Sequence, residues 1–277
     1  MRLGIASPLA HSSAAEWAGK MVSLGCRAVV FPLNHTDNPA LIDAYRDEAV
    51  KKGLRIAEVG SWVNPLALDE TERQKNIDYC VNQLRLADYL KADCCVNICG
   101  AAGAVWDGAY KENFSEEFLR KTVKSIQEII DRANPQYTSY SIEPMPWMMP
   151  ADPDQYLWLL KEVNRKHFAV HMDLANWITS PQKYLMNEQF IDEVFNKLGE
   201  YIRSCHLKDV MLAGEFTLQL KEVACGKGSL NLEYYVKRAK EIDPEIPMII
   251  EHLHTDEEYI ESVEYVKARM KKAGLLE

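Results

Sequence analysis

Tyr201–Val210, YIRSCHLKDV, is the stretch whose reading decides the fold. An apolar run with β-branched character ends abruptly in His206, Lys208 and Asp209, the pattern of a buried strand that delivers ionisable groups to its own C-terminal end. Three other runs close the same way: Ser139–Met145 (SYSIEPM) in Glu143, Phe168–Leu174 (FAVHMDL) in Asp173, and Pro247–Leu253 (PMIIEHL) in Glu251. Their spacing is that of βα units of ~30 or more residues each. A barrel of parallel strands brings all four ends together.

Outward from these runs the chain alternates. Leu3–Ser7 reads as a first strand and Ser13–Leu24 as a helix stopped at Gly25. Cys26–Phe31 is the second strand; Asn38 and Pro39 make a good N-cap and first helical position, and Gly53 closes that helix. Leu54–Trp62 is a third strand, followed by a long helix from Asp69 to Lys91 with acidic residues in its first turn. Asp93–Cys99 is a fourth, and a Gly- and Ala-rich loop over Gly100–Tyr110 precedes a helix from Ser115 to about Arg132. The strand carrying Glu143 leads into a proline-stiffened loop that ends in the cap pair Asp152–Pro153. A long loop after Asp173 precedes a helix ending at Gly199, and a loop through Gly226 and Gly228 leads to a helix over Asn231–Ile242. The last strand carries Glu251, and a final amphipathic helix ends near Gly274.

About eight strand signals alternating with about eight helix signals predict an α/β fold, a (β/α)₈ TIM barrel forming one domain over residues 1–277. A doubly wound open sheet alternates too, but its first βα turn usually carries a glycine-rich phosphate fingerprint. Here that turn reads SPLAHSSAA and contains no GxGxxG.

With 277 residues, 47% of them hydrophobic, the chain is long enough for one barrel core. Its 32 basic and 41 acidic residues leave a net charge of −9, which argues against nucleic acid as a partner and for a small molecule. The seven cysteines include no CxxC pair and sit largely in apolar runs, as in ADCCVNICG, so a reduced, cytoplasmic protein is expected. MRLGIASPLA reads as a strand rather than a signal peptide, and no run approaches the ~20 apolar residues of a membrane span. A homo-oligomer is the expected assembly.

Two Glu, one Asp and one His at strand ends offer three oxygen ligands and one imidazole. That mixture suits a divalent ion, Mn²⁺ first, with Mg²⁺, Co²⁺ or Zn²⁺ as alternatives. As a Lewis acid the ion would stabilise the enediolate formed when a proton leaves the carbon next to a ketose carbonyl. Glu143 and Glu251, on well-separated strands, could face that carbon from opposite sides, one taking a proton and the other returning one. The competing reading is that strand-end carboxylates cap helices or pair with lysine; four convergent ends, each with an apolar lead-in, weigh against it. Lys208 and His171 share the side of the pleat with His206 and Asp173, to touch substrate or to pair with a ligand carboxylate. Trp62, Trp106 and Trp147 lie in or beside loops on the same side, where indoles stack on sugars or anchor packing. His252 and His254 flank Glu251 and are read as supporting or solvent-facing. Gly226-Lys227-Gly228-Ser229 echoes part of a P-loop, but the upstream glycine of GxxxxGK[ST] is Lys221 here.

The chain resembles the xylose isomerase-like TIM-barrel superfamily, in particular its sugar phosphate isomerase/epimerase branch. The resemblance is carried by IEP at Glu143, HMDLAN at Asp173, SCHLKD at His206 and GKGSLNLEYYVKRAKEIDPEIPMIIEHLHTDEEY leading through Glu251. It implies a metal site of Glu143, Asp173, His206 and Glu251, with the two glutamates as the acid/base pair, as in the ketose 3-epimerases. The substrate shell departs from those enzymes: Met149 stands in place of a sugar-contacting Glu, Asn176 of a His, and Leu212 of an Arg. Trp62, Trp106, His171, Asn176 and Lys208 are the candidate substrate contacts.

The expected function is therefore a metal-dependent isomerase or epimerase of a sugar or polyol. A dehydratase or lyase acting on an inosose or an oxidised glycoside is the alternative. Two readings rank lower. One is a non-catalytic sugar-binding barrel, which has little reason to keep both Glu143 and Glu251. The other is a phosphodiesterase of the abasic-site endonuclease type, whose several metals need many histidines where this chain has seven.

Overall fold

The computed structural model describes residues 1–276. Seven parallel strands follow one another along the chain: β1 (Arg2–Ile5), β2 (Ala28–Val30), β3 (Arg55–Gly60), β4 (Cys94–Asn97), β5 (Ser139–Ile142), β6 (Phe168–Asp173) and β7 (Ile202–Leu207). A two-stranded antiparallel hairpin comes next, β8 (Asp209–Ala213) and β9 (Gln219–Val223), before the last barrel strand, β10 (Pro247–Ile250). Ladder pairing runs unbroken from β2 through β3, β4, β5, β6 and β7 to β10 and β1. At the remaining seam the Arg27 N–H donates to the Leu3 carbonyl at 2.8 Å. Gly4 permits that approach, since a Cβ there would lie 2.4 Å from the Ala28 carbonyl oxygen. The result is the expected TIM barrel, nearly closed.

The outer helices begin where the sequence places caps. α1 (Ala14–Leu24), α2 (Pro39–Lys51), α3 (Glu70–Leu90), α4 (Glu116–Ala133) and α5 (Pro153–Val163) are capped by Ser13, Asn38, Asp69, Ser115 and Asp152, each accepting from an amide of the first turn. The stretch after β6 is more structured than expected: Pro181 starts a short helix, α6 (Pro181–Leu185), ahead of α7 (Asn187–Leu198). α8 (Leu232–Ile242) is capped by Asn231, and α9 (Asp256–Lys272) carries a capping box of Thr255 and Glu258. The main apolar core lies between strands and helices, while Ala28, Ala57 and Ile249 form a small cluster of their own.

Like α6, the hairpin of β8 and β9 is absent from the sequence reading, which has a loop there. Its strands alternate weakly and, beyond the buried Asp209 and Val210, its residues are exposed or half-buried, so no apolar face signals it. Two register shifts matter for the site. Between β2 and β3, Val29 pairs with Ile56 and Val30 with Glu58, a bulge of the kind that re-aims a side chain. Between β6 and β7 a second shift pairs His171 with Ser204 and Asp173 with His206. These become two successive layers at the mouth of the barrel.

Candidate metal centre

The four strand-end residues converge. Glu143, Asp173, His206 and Glu251 are all buried, and one ligand atom of each lies within 4.8 Å of the others. His206 Nδ1 is 2.7 Å from Glu251 Oε1 and 3.6 Å from both Glu143 Oε1 and Asp173 Oδ2. Lys208 Nζ joins the ring, 2.6 Å from Asp173 Oδ2 and 2.5 Å from Glu251 Oε1. On the far side of the lysine stand Glu222 of β9 at 3.4 Å and His252 Nδ1 at 3.1 Å.

One layer beneath sits Glu58, which the sequence reading passes over. Ser204 Oγ donates to its carboxylate, His171 Nε2 donates at 3.1 Å, and His206 Nε2 faces it at 3.4 Å. Burial opposes the charge on Glu58, but the imidazoles of His171 and His206 outweigh it and hold the carboxyl well below its usual range. An ionised Glu58 favours a proton on His206 Nε2, which leaves Nδ1, facing the other carboxylates, to bind a second proton or a cation. The signal for Glu58 is in the sequence: a lone charge inside the apolar run RIAEVG.

The electrostatics of the upper layer separate its two glutamates. Burial and the neighbouring Glu251 push Glu143 up from the ordinary carboxylate range. Burial works the same way on Glu251, but His206 and Lys208 overcome it and bring that carboxyl down. Asp173 is held well below its usual range by Lys208 and His206 against burial. For His206 burial opposes protonation, yet Glu251, Glu143 and Glu58 raise its affinity for a proton far above normal.

The donor set fits a divalent cation. His206 Nδ1 and Asp173 Oδ2 are buried and point into the ring, within ion-pair distance of Glu251 and Lys208 but without a well-directed hydrogen bond. An imidazole nitrogen so inclined to bind a positive charge among three carboxylates is a suitable metal ligand. Lys208 is the one amine in this ring, against the carboxylates of Glu58, Glu143, Asp173, Glu222 and Glu251. Negative charge is in excess.

A cavity of about 520 Å³ opens over the ring, walled by Glu143, His206 and Glu251 below and by Trp62 and Trp106 at the sides. Gly60 makes room for Trp62, since a Cβ there would lie 2.4 Å from the indole nitrogen. Buried asparagines pin the surrounding loops. Asn64 bonds the backbone of Leu66 and Ala101, and Asn113 that of Ala102, Gly108 and Trp147. The other candidate contacts lie elsewhere. Asn176 donates to Glu143 Oε1 and to the Pro144 carbonyl, both at 3.0 Å. Lys208 is tied into the carboxylate ring, and His171 is fully buried on Glu58, below the cavity. The P-loop-like turn has its backbone amides taken from within. Asp209 accepts from the N–H groups of Val210, Gly226, Gly228 and Leu230 at 2.8 to 3.1 Å.

Residues 18–269 match the model of a protein family described as the xylose isomerase-like TIM barrel. No curated protein matches the chain. Among solved structures, a D-tagatose 3-epimerase-like protein is 19% identical, with a TM-score of 0.74 over 99% of this chain and 98% of its own. Endonuclease IV from Thermus thermophilus is 16% identical, with a TM-score of 0.75 over 98% of this chain and 100% of its own. A xylose isomerase-like TIM barrel protein from Mycobacterium smegmatis in complex with magnesium is 18% identical, with a TM-score of 0.68 over 92% and 88%. At these identities the likenesses carry the fold and nothing finer. Among the described residues, no helix is long and apolar enough to cross a membrane.

Proposed function

Because the chain belongs to the xylose isomerase-like TIM barrel family, we propose that it is a divalent-metal-dependent isomerase or epimerase of a ketose-type sugar or polyol. The observation that carries this reading is the pair Glu143 and Glu251. They lie in one ring of cation ligands and enter it from separate strands, Glu143 following β5 and Glu251 following β10.

Glu143, Asp173, His206 through Nδ1, and Glu251 would hold the ion. A divalent ion there, Mn²⁺ in this reading, supplies Lewis-acid stabilisation of the charge that develops on a carbonyl oxygen as a neighbouring C–H proton leaves. Glu251, kept ionised by His206 and Lys208, is suited to take that proton. Glu143, which enters the ring from a different strand, is suited to return one. Asn176 fixes the Glu143 carboxylate, and Lys208 fixes those of Glu251 and Asp173. Trp62 and Trp106 offer apolar ring faces to the C–H faces of a sugar. His171 acts through Glu58, which orients His206.

The test is solvent exchange. Wild-type protein with Mn²⁺, incubated with a panel of ketoses in D₂O, is expected to incorporate deuterium at the carbon next to the carbonyl. Glu251→Gln should lower that rate by about 10²–10⁴-fold. Metal-loaded protein that binds ketoses yet incorporates no deuterium from any of them would make the chain a sugar-binding barrel.

A further inference from the structure

A second cavity, about 700 Å³ in volume, adjoins the one over the carboxylate ring, and the two share a charge pattern. Glu58, Glu143 and Glu251 line the first, Glu222 lines the second, and Asp107 stands at the junction and lines both. Among the described residues no arginine lines either cavity, and their one lysine is the exposed Lys221 of β9. Lys208 is buried and held by Asp173 and Glu251, and His252 faces Glu222 at 3.0 Å. With Asp173 the centre has six carboxylates, more than these cationic side chains and a divalent ion together balance. Backbone donors give a bound anion no footing either. The amides of Gly226, Gly228 and Leu230 form a cradle of the kind that binds phosphate, but the Asp209 carboxylate already fills it at 2.9 to 3.1 Å.

Asp107 differs from the other five carboxylates. Among the described residues no cation lies within ion-pair distance of it, and the Trp147 indole N–H, 2.7 Å away, donates to its backbone carbonyl rather than to its side chain. A carboxylate left free at the junction of two cavities accepts charge-assisted hydrogen bonds from hydroxyl groups and repels anions. We infer that the substrate is an uncharged sugar or polyol, carrying neither phosphate nor carboxylate, and that Asp107 is a specificity residue that enforces this choice. The inference rests on the sugar-enzyme reading above and narrows its substrate class.

Quenching of tryptophan fluorescence reads the charge of the cavities without any substrate. The exposed indoles of Trp62, Trp106 and Trp147 all line them, Trp17 and Trp177 are fully buried, and a Trp158→Phe background removes the half-buried one on α5. In the full, Mn²⁺-loaded protein at low ionic strength, caesium should quench at least about threefold more than iodide, each normalised to free tryptophan amide. Added salt should close the gap. Asp107→Lys should raise iodide quenching, whereas Glu245→Lys, which changes the net charge equally at the opposite end of the barrel, should not. Calorimetric titration with D-fructose against D-fructose 6-phosphate, and D-xylulose against D-xylulose 5-phosphate, is the second arm. A neutral ketose that binds should do so at least about tenfold more tightly than its phosphate, and Asp107→Lys should narrow or reverse that ratio. Equal quenching by the two ions, a gap that Asp107→Lys leaves intact, or a phosphate that binds more tightly than its parent ketose would overturn the inference; quenching alone decides where no ketose binds. Deuterium exchange from D₂O with the same four sugars separates the two claims. Exchange into a ketose phosphate alone sinks this one and keeps the isomerase reading, while anion exclusion with no exchange into any ketose does the reverse.

Discussion

Replacing Glu58 by glutamine keeps the shape of the side chain and removes its charge from beneath the metal ligands. In the wild type the carboxylate accepts from Ser204 Oγ and His171 Nε2 and faces His206 Nε2. Hydrogen bonds to a charged group contribute roughly 1.5–3 kcal/mol and neutral ones roughly 0.5–1.5. Weakening two of them costs about 2–3 kcal/mol, or a fall of roughly 5–10 °C in Tm. The amide must also turn an N–H₂ toward an imidazole N–H or force that ring to its other tautomer. Moving the His206 proton to Nδ1 takes away the lone pair the metal needs, so Mn²⁺ affinity should drop about 10–100-fold.

The pH dependence follows from the same carboxyl. Its folded-state pKa lies below the unfolded value, so its stabilisation is complete above the unfolded pKa, about 4.3, and is lost as pH falls further. Wild type should therefore lose stability more steeply than Glu58→Gln below about pH 5. Urea unfolding across pH in the presence of a chelator, with calorimetric Mn²⁺ titration of both proteins, measures each effect. A variant with an unchanged urea midpoint and unchanged Mn²⁺ affinity would refute the role given to Glu58.

Two further predictions concern the frame. Asp209→Ala leaves four amide donors without their acceptor; water can reach the Gly226–Gly228 turn but not Val210 or Leu230, so the cost should be about 2–4 kcal/mol in urea unfolding, and Asp209→Asn should cost less. All seven cysteines are free and buried, with burial pushing the Cys26 thiol up to about 12, so a disulfide exchange reagent should label none of them in the native protein and all of them in denaturant.

The parts of this molecule that the sequence makes legible are those where one residue type has one use. An apolar run ending in a carboxylate or imidazole marks a barrel strand and its functional end, and Asn38–Pro39 or Asp152–Pro153 marks a helix start. Depth is harder to read. His171 and Asp173 lie on the same side of β6, but two residues of strand rise are about 6.6 Å, which places His171 on Glu58 and Asp173 in the ligand ring. Glu58 itself lies at a bulge whose shift in register no local pattern announces. The hairpin of β8 and β9 stands outside the barrel core, so it lacks the buried face that makes other strands visible; its Glu222 nonetheless reaches Lys208.

Four strand ends build one cation site, and metal content measures it most directly. Wild-type protein and His206→Gln would be loaded with Mn²⁺, freed of unbound ion and assayed for metal per chain, with circular dichroism to confirm that both are folded. The expected result is about one ion per wild-type chain and a folded variant that retains little. A wild-type chain that holds no ion, or a variant that holds as much as wild type, would contradict it.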